Sequence, residues 1–152
     1  MTKIWLFLLA FTLAAQAASP SPEDPALWLK KTIGPCFTKN DKASLAAREK
    51  IERSAVTPTL KALIARDNAE IARTHEVGRI DFDWVLNAQD ISTDWKVGAA
   101  KPAGKYIAVP VTVKWSDGSH THTFLLQPNG NSWLIADVKY PPDNTSLLKI
   151  LQ

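Results

Sequence analysis

Carboxylates gather in one stretch of this 152-residue chain: Asp81, Asp83, Asp90 and Asp94, with the amide of Gln89 beside the third. Two carboxylates across a cleft can share a proton and act as acid and base, and several with a carbonyl can hold calcium. The spacing is not that of an EF-hand loop, which needs a glycine at its sixth position and a glutamate at its twelfth. The stronger expectation is turn and cap chemistry, in which aspartate side chains accept backbone amides around an irregular loop. Gln89-Asp90 is the sharper feature, because an amide and a carboxylate next to apolar Val85 and Leu86 could point from the rim of a sheet into an apolar cup. Their alternative role is to tie the loop to the strand that follows.

His120 and His122 alternate once along a strand-like run, so both imidazoles leave the same face, as a pair of metal ligands would. Two ligands are half a site, and no spacing brings His75, Cys36 or an aspartate to them. Exposed hairpin histidines are the simpler expectation, at the wet end of a face that Phe124 and Leu126 continue inward. Cys36 is the single cysteine, so no intramolecular disulfide can form; it reads as a small buried hydrophobe, with a reactive thiol or an intermolecular disulfide as alternatives. Of six tryptophans, Trp115 and Trp133 fall at strand positions suited to a core. Trp95, between Asp94 and Lys96 in an expected loop, is the candidate for an exposed binding aromatic. The sequence contains no Gly-rich phosphate loop, no Gly-x-Ser-x-Gly elbow, no His-Glu-x-x-His and no Cys-x-x-Cys, so no cofactor or metal is expected.

Met1–Ala17 reads as a secretory signal peptide: Lys3, the apolar run Ile4 to Phe11, and a small-x-small site at Ala15-Gln16-Ala17. The apolar run is too short to span a bilayer, which needs about 20 residues, so a periplasmic protein without stable membrane insertion is expected. Cleavage after Ala17 leaves residues 18–152 as one domain. Net charge is +3, but the bases are dispersed among acids and form no block, which argues against nucleic acid.

The elements that must position these groups are helical first. Pro25 to Lys31 suits a short helix stopped by Gly34-Pro35, Asn40 or Asp41 can cap a second over Lys42 to Arg53, and Thr57-Pro58 starts the longest. Leu60, Leu63, Ile64 and Ile71 give that helix its apolar stripe, which His75 would extend, with Gly78 as its stop. The periodicity then changes to two. Lys105 to Trp115 alternates Ile107, Val109, Val111 and Val113 against Tyr106, Ala108, Pro110 and Thr112, and Pro110 suggests an edge or a bulge. Turns at Asp117-Gly118 and Pro128 to Asn131 lead to strands over His120 to Leu126 and Ser132 to Tyr140. In the last, strict alternation puts Trp133, Ile135 and Asp137 on one face. Asp143 or Asn144 can cap a short closing helix. Helices first and a meander afterwards predict an α+β domain, N-terminal helices packed on a curved antiparallel sheet.

Asp81-Phe82-Asp83, Ala88-Gln89-Asp90, Trp95, the Val-x-Val-x-Val strand and Ser132 to Tyr140 together resemble a bacterial family of secreted proteins and lipoproteins whose domain has no assigned function. That resemblance covers most of the chain from Thr57 on, and departs from the family pattern at Trp84-Val85, where Pro-Phe is common. It implies a cystatin-like, nuclear-transport-factor-2-like cone and a possible homodimer through the sheet, and it carries no catalytic residues. The expected function is non-catalytic binding of a small ligand in the cone's mouth or of an envelope protein. The alternatives are an inhibitor or immunity-type protein against a cell-envelope enzyme, and a small hydrolase or isomerase using an Asp with a His or Tyr. The candidate site combines Asp83, Gln89, Asp90 and Trp95 with Tyr106, His122 and Asp137 from the sheet, because polar groups converging on an apolar cup make a ligand pocket.

Overall fold

The computed structural model describes residues 22–90, 92–116, 118–143 and 145–152. The signal peptide expected over residues 1–17 lies outside the described residues, as do Asp117 and Asn144. Among the described residues, four α-helices pack with a six-stranded antiparallel sheet, the α+β arrangement expected from the change of periodicity.

Each of the first three helices begins where a side chain meets an orphan amide. Asp24 accepts from Leu27 N at 2.8 Å ahead of α1 (Pro25–Ile33), and Asn40 from Ala43 N at 3.0 Å ahead of α2 (Asp41–Ser54). Thr57 accepts from Leu60 N at 3.4 Å ahead of α3 (Pro58–Thr74). A single 3-10 turn, Gly34–Cys36, follows α1. The third helix stops short of Gly78: exposed His75 takes the left-handed conformation, φ 60°, and donates its N–H to Ile71 O at 2.8 Å. His75 therefore ends the helix and adds nothing to its apolar stripe. Gly78 has a different task, since a Cβ there would lie 2.6 Å from Ile71 Cδ1 and 2.7 Å from Asp67 Oδ2. Its bareness lets the chain turn back against α3, where Arg79 N donates to Asp67 at 3.0 Å.

The sheet holds β1 (Asp94–Val97), β2 (Lys101–Ala103), β3 (Tyr106–Trp115), β4 (Gly118–Asn129), β5 (Ser132–Tyr140) and β6 (Thr145–Ser146). Its order is β1-β3-β4-β5-β6, with β2 also on β3. The meander β3-β4-β5 is the expected one; β1 and β2 are additional, two pieces of one edge lying along β3. Pro110 sits inside β3, and the irregularity it demands is in the neighbour. In an antiparallel strand a residue's N–H and C=O face the same side, so the donor Pro110 lacks would face the break between β1 and β2, where Gly98 N donates to Pro110 O at 2.8 Å. A Cβ on Gly98 would lie 2.8 Å from Pro110 Cγ.

On the core face, Val109, Val111 and Val113 are fully buried, and β4 sets Phe124, His122 and His120 opposite them. The strict alternation expected along β5 does not hold. Leu125 pairs with Asp137 and Leu126 with Ile135, which leaves Ala136 as an extra residue. This bulge puts Val138 and Tyr140 on the same face as Trp133 and Ile135 and turns Asp137 to the other face. The first three helices and the segment 80–90 fill the core face with Leu29, Ile33, Leu60, Val85 and Leu86. The closing helix α4 (Leu147–Leu151) is capped by Ser146, whose Oγ accepts from Lys149 N at 3.3 Å, and not by the expected Asp143. Arg66 and Arg79 both donate to the carbonyl of Leu151 at its far end.

Trp133 is 7% exposed and donates its indole N–H to Glu23 O at 2.7 Å. Trp133→Ala is expected to lower the unfolding free energy by about 3–5 kcal/mol in urea denaturation followed by circular dichroism. A variant as stable as the parent would remove Trp133 from the core.

Candidate functional site

Three consecutive carbonyls of the segment between α3 and β1 lie on the apolar face of the sheet, because Trp84, Val85 and Leu86 are at most 2% exposed. Buried carbonyls need donors, and the sheet supplies them. Tyr140 Oη donates to Trp84 O at 2.9 Å, His122 Nε2 lies 2.8 Å from Val85 O, and His120 Nε2 reaches Leu86 O at 3.4 Å. The carbonyl assigns the proton of His122 to Nε2; its Nδ1 meets no donor or acceptor. Burial brings the His122 pKa down to about 4, so the ring is neutral near pH 7. The histidine expected in water at a hairpin tip is thus fully buried, because the loop lies over the strand that carries it.

From the other side α2 grips the same segment. Arg48 Nη1 donates to Asp83 Oδ2 at 2.9 Å, and Glu52 Oε1 accepts from Trp84 Nε1 at 3.0 Å. Asp83 Oδ1 accepts the amides of Val85 and Leu86 at 2.9 and 3.1 Å, while Asp83 N donates to Ala88 O at 2.9 Å. This is the turn chemistry expected of the aspartate stretch, with Asn87 left-handed at φ 55° inside the turn. Cys36 is fully buried, and desolvation, with the Asp83 carboxylate second, pushes its thiol up to about 12. It is the small buried hydrophobe of the simpler reading, not a thiolate nucleophile.

The seven candidate residues do not converge on one pocket. Asp83, Gln89 and Asp90 line one open groove of about 680 Å³ between α2, the end of α3 and the segment 76–90. His122 lies beneath that segment. Trp95 is in β1 and not in a loop; it turns inward, stacking on Phe37 with ring centroids 4.3 Å apart. Tyr106 is at the far end of β3 on the opposite face, paired with Ala103, and Lys105 Nζ lies 5.1 Å from its ring centroid. Asp137, turned over by the bulge, accepts from Val138 N and Leu148 N at 2.8 and 2.9 Å and so holds α4. Strand parity separates Tyr106 from His122, and the added Ala136 separates Asp137 from His122 by turning it to the outer face.

Gln89 and Asp90 are exposed, and among the described residues neither side chain has a hydrogen-bond partner. They form a ridge between the groove with Asp83 and a second of about 550 Å³ that reaches Trp115 and His120, whose rings stack at 4.5 Å. The first groove also holds Leu45 and Val77, two large apolar side chains that are 47% and 79% exposed. Sequence reasoning missed both, and also missed Arg48 and Glu52; their i, i+4 spacing on a helix was the available signal. Among the described residues no group of three or more His, Cys, Asp or Glu has the geometry to hold a metal ion. No family model matches the chain, and neither the curated proteins nor the solved structures compared with it contain a match.

Protonating His122 would bring a charge into an apolar site and add an Nδ1 proton with no acceptor. Its folded pKa is below that of the unfolded chain, so the contribution is complete above about pH 6.5 and is lost as pH falls toward 4. The unfolding free energy of the wild type is expected to drop over that interval by about 3 kcal/mol more than that of His122→Gln, in denaturant titrations at each pH. Parallel profiles for the two proteins would rule out this role.

Proposed function

We propose that the protein is an exported, periplasmic binding domain, non-catalytic, that captures a protein of the cell envelope along the groove between α2 and the segment 76–90. The observation that carries this is the contrast within one loop. Its backbone is pinned from both sides, while Gln89 and Asp90 at its crest stay exposed and without an internal partner. A rigid segment that presents free polar groups beside exposed Leu45 and Val77 loses little conformational entropy on binding and offers both contact area and directional bonds. Helices filling a bent antiparallel sheet also support the cystatin-like cone as the fold type.

Binding is preferred to acid–base catalysis because the candidate groups are already engaged: Asp83 accepts from three donors, and His122 and Tyr140 face loop carbonyls. It is preferred to a ligand in the mouth of the cone because Val85, Leu86, Leu29 and Ile33 fill that face. In the inhibitor form of the proposal, the ridge at residues 87–90, and not Trp95, is the segment available to enter an enzyme cleft. A second copy through the sheet would use the outer face, where Pro110, Thr112, Thr121 and Thr123 lie side by side.

A photoactivatable amino acid placed at Val77 or Leu45 in the full chain, expressed in its own cells, is expected to crosslink one envelope protein, and the same probe at Thr121 is not. Asp90→Lys should abolish that crosslink while changing the unfolding free energy by no more than about 0.5 kcal/mol. Equal crosslinking from Thr121, or an Asp90→Lys variant that captures the same protein undiminished, would overturn the assignment.

A further inference from the structure

On the opposite flank of α2 lies a second groove of about 690 Å³, bordered by α1, the 3-10 turn and the β4–β5 turn. Volumes of roughly 300–1,000 Å³ are those of small-molecule sites. Trp28, Trp133 and Ile51, 9%, 7% and 2% exposed, form its floor, and Pro35, Ala46 and Ala47 its more exposed apolar walls. The space exists because of which residues α2 turns toward it. Ala46 and Ala47, with Ala55 just past the helix end, present single methyl groups where larger side chains would fill the space. A thin apolar stripe on α2, a weakness for helix packing, here leaves a lined hollow.

The charges at the rim narrow the occupant. Glu23 and Lys31 neutralise each other, with Lys31 Nζ 2.5 Å from Glu23 Oε1. Lys50 has no carboxylate partner among the described residues, so the remaining charge of the groove is a single cation. The hydroxyls of Thr32 and Ser132 line the same groove. We propose that this groove is a binding site for an amphiphilic carboxylate, its apolar body against Pro35, Ala46, Ala47 and the open edges of Trp28 and Trp133 and its carboxylate at Lys50. The site is separate from the partner groove, whose charges unpaired among the described residues, Asp41, Glu76, Asp81 and Asp90, are of the opposite sign.

The test is a titration of the isotope-labelled mature protein with dodecanoate, below its micelle concentration, with dodecyltrimethylammonium as the cationic counterpart. The indole N–H signals of Trp28 and Trp133 and the methyl signals of Ala46 and Ala47 report the groove. Saturable shifts of these signals by dodecanoate are expected, with affinity reduced about five- to tenfold in Lys50→Glu. Ala47→Leu should remove the shifts by filling the hollow; Ala46→Leu, at an exposed position, serves if that variant does not fold. Equal binding of the trimethylammonium compound at the same signals would overturn the charge selection. Shifts that persist in the leucine variant, or the absence of saturable shifts in the wild type, would overturn the site.

Discussion

The molecule is organised around a stretch of backbone that crosses an apolar sheet face and must find donors there. Leaving a buried carbonyl bare costs about 1–3 kcal/mol, more than a typical made hydrogen bond contributes. The carbonyls of Trp84, Val85 and Leu86 are met by side chains of the sheet, which explains polar side chains at core positions of β4 and β5. Much else follows from this contact. The bulge at Ala136 is needed to bring Tyr140 to the core face, and Asp83, bonded to its own loop and to Arg48, joins the sheet-facing layer to α2. With the loop fixed over the core, its crest and not its interior is available to anything outside.

What the sequence made readable were features with local causes. Asp24, Asn40 and Thr57 begin helices because a side chain three residues from an amide needs no tertiary context, and the β3 alternation survives because one face of that strand is buried from Val109 to Val113. The misreadings share the opposite property. That His122 is buried follows from a segment some 37 positions earlier lying over it, and that Asp137 faces away from it follows from one inserted residue that no composition rule marks. Trp95 looked exposed because charged neighbours flank it, yet four residues of edge strand suffice to alternate Asp94 and Lys96 outward and the indole inward. Of the candidate site, the part drawn from one contiguous segment, Asp83 with Gln89 and Asp90, stays together; the part assembled across strands does not.

The second helix gives the two halves of the functional reading a common origin. Its turns place Asp41, Ser44, Leu45 and Arg48 on one flank and Ala46, Ala47, Lys50 and Ile51 on the other, and each flank borders an open groove. A helix with so few large apolar residues is held chiefly by Ile51, by its caps, and by Arg48 and Glu52 reaching the loop. The same economy of side chains leaves room beside it, acidic on one flank and apolar with a cation on the other.

The break between β1 and β2 bears on how the protein survives among other unfolding chains. An exposed sheet edge recruits strands from neighbouring molecules through its unpaired amides and carbonyls. Here that edge is divided into pieces of four and three residues, broken at Gly98 and carrying Lys96 and Lys101, while on the opposite side β5 is covered by β6 at Lys139 and Tyr140 and by the chain at Ala55 and Thr57, which bond both backbone groups of Ile135. Neither side presents a run long enough to template a cross-β stack, so the proline that interrupts the ladder of β3 also protects the fold against aggregation by strand addition.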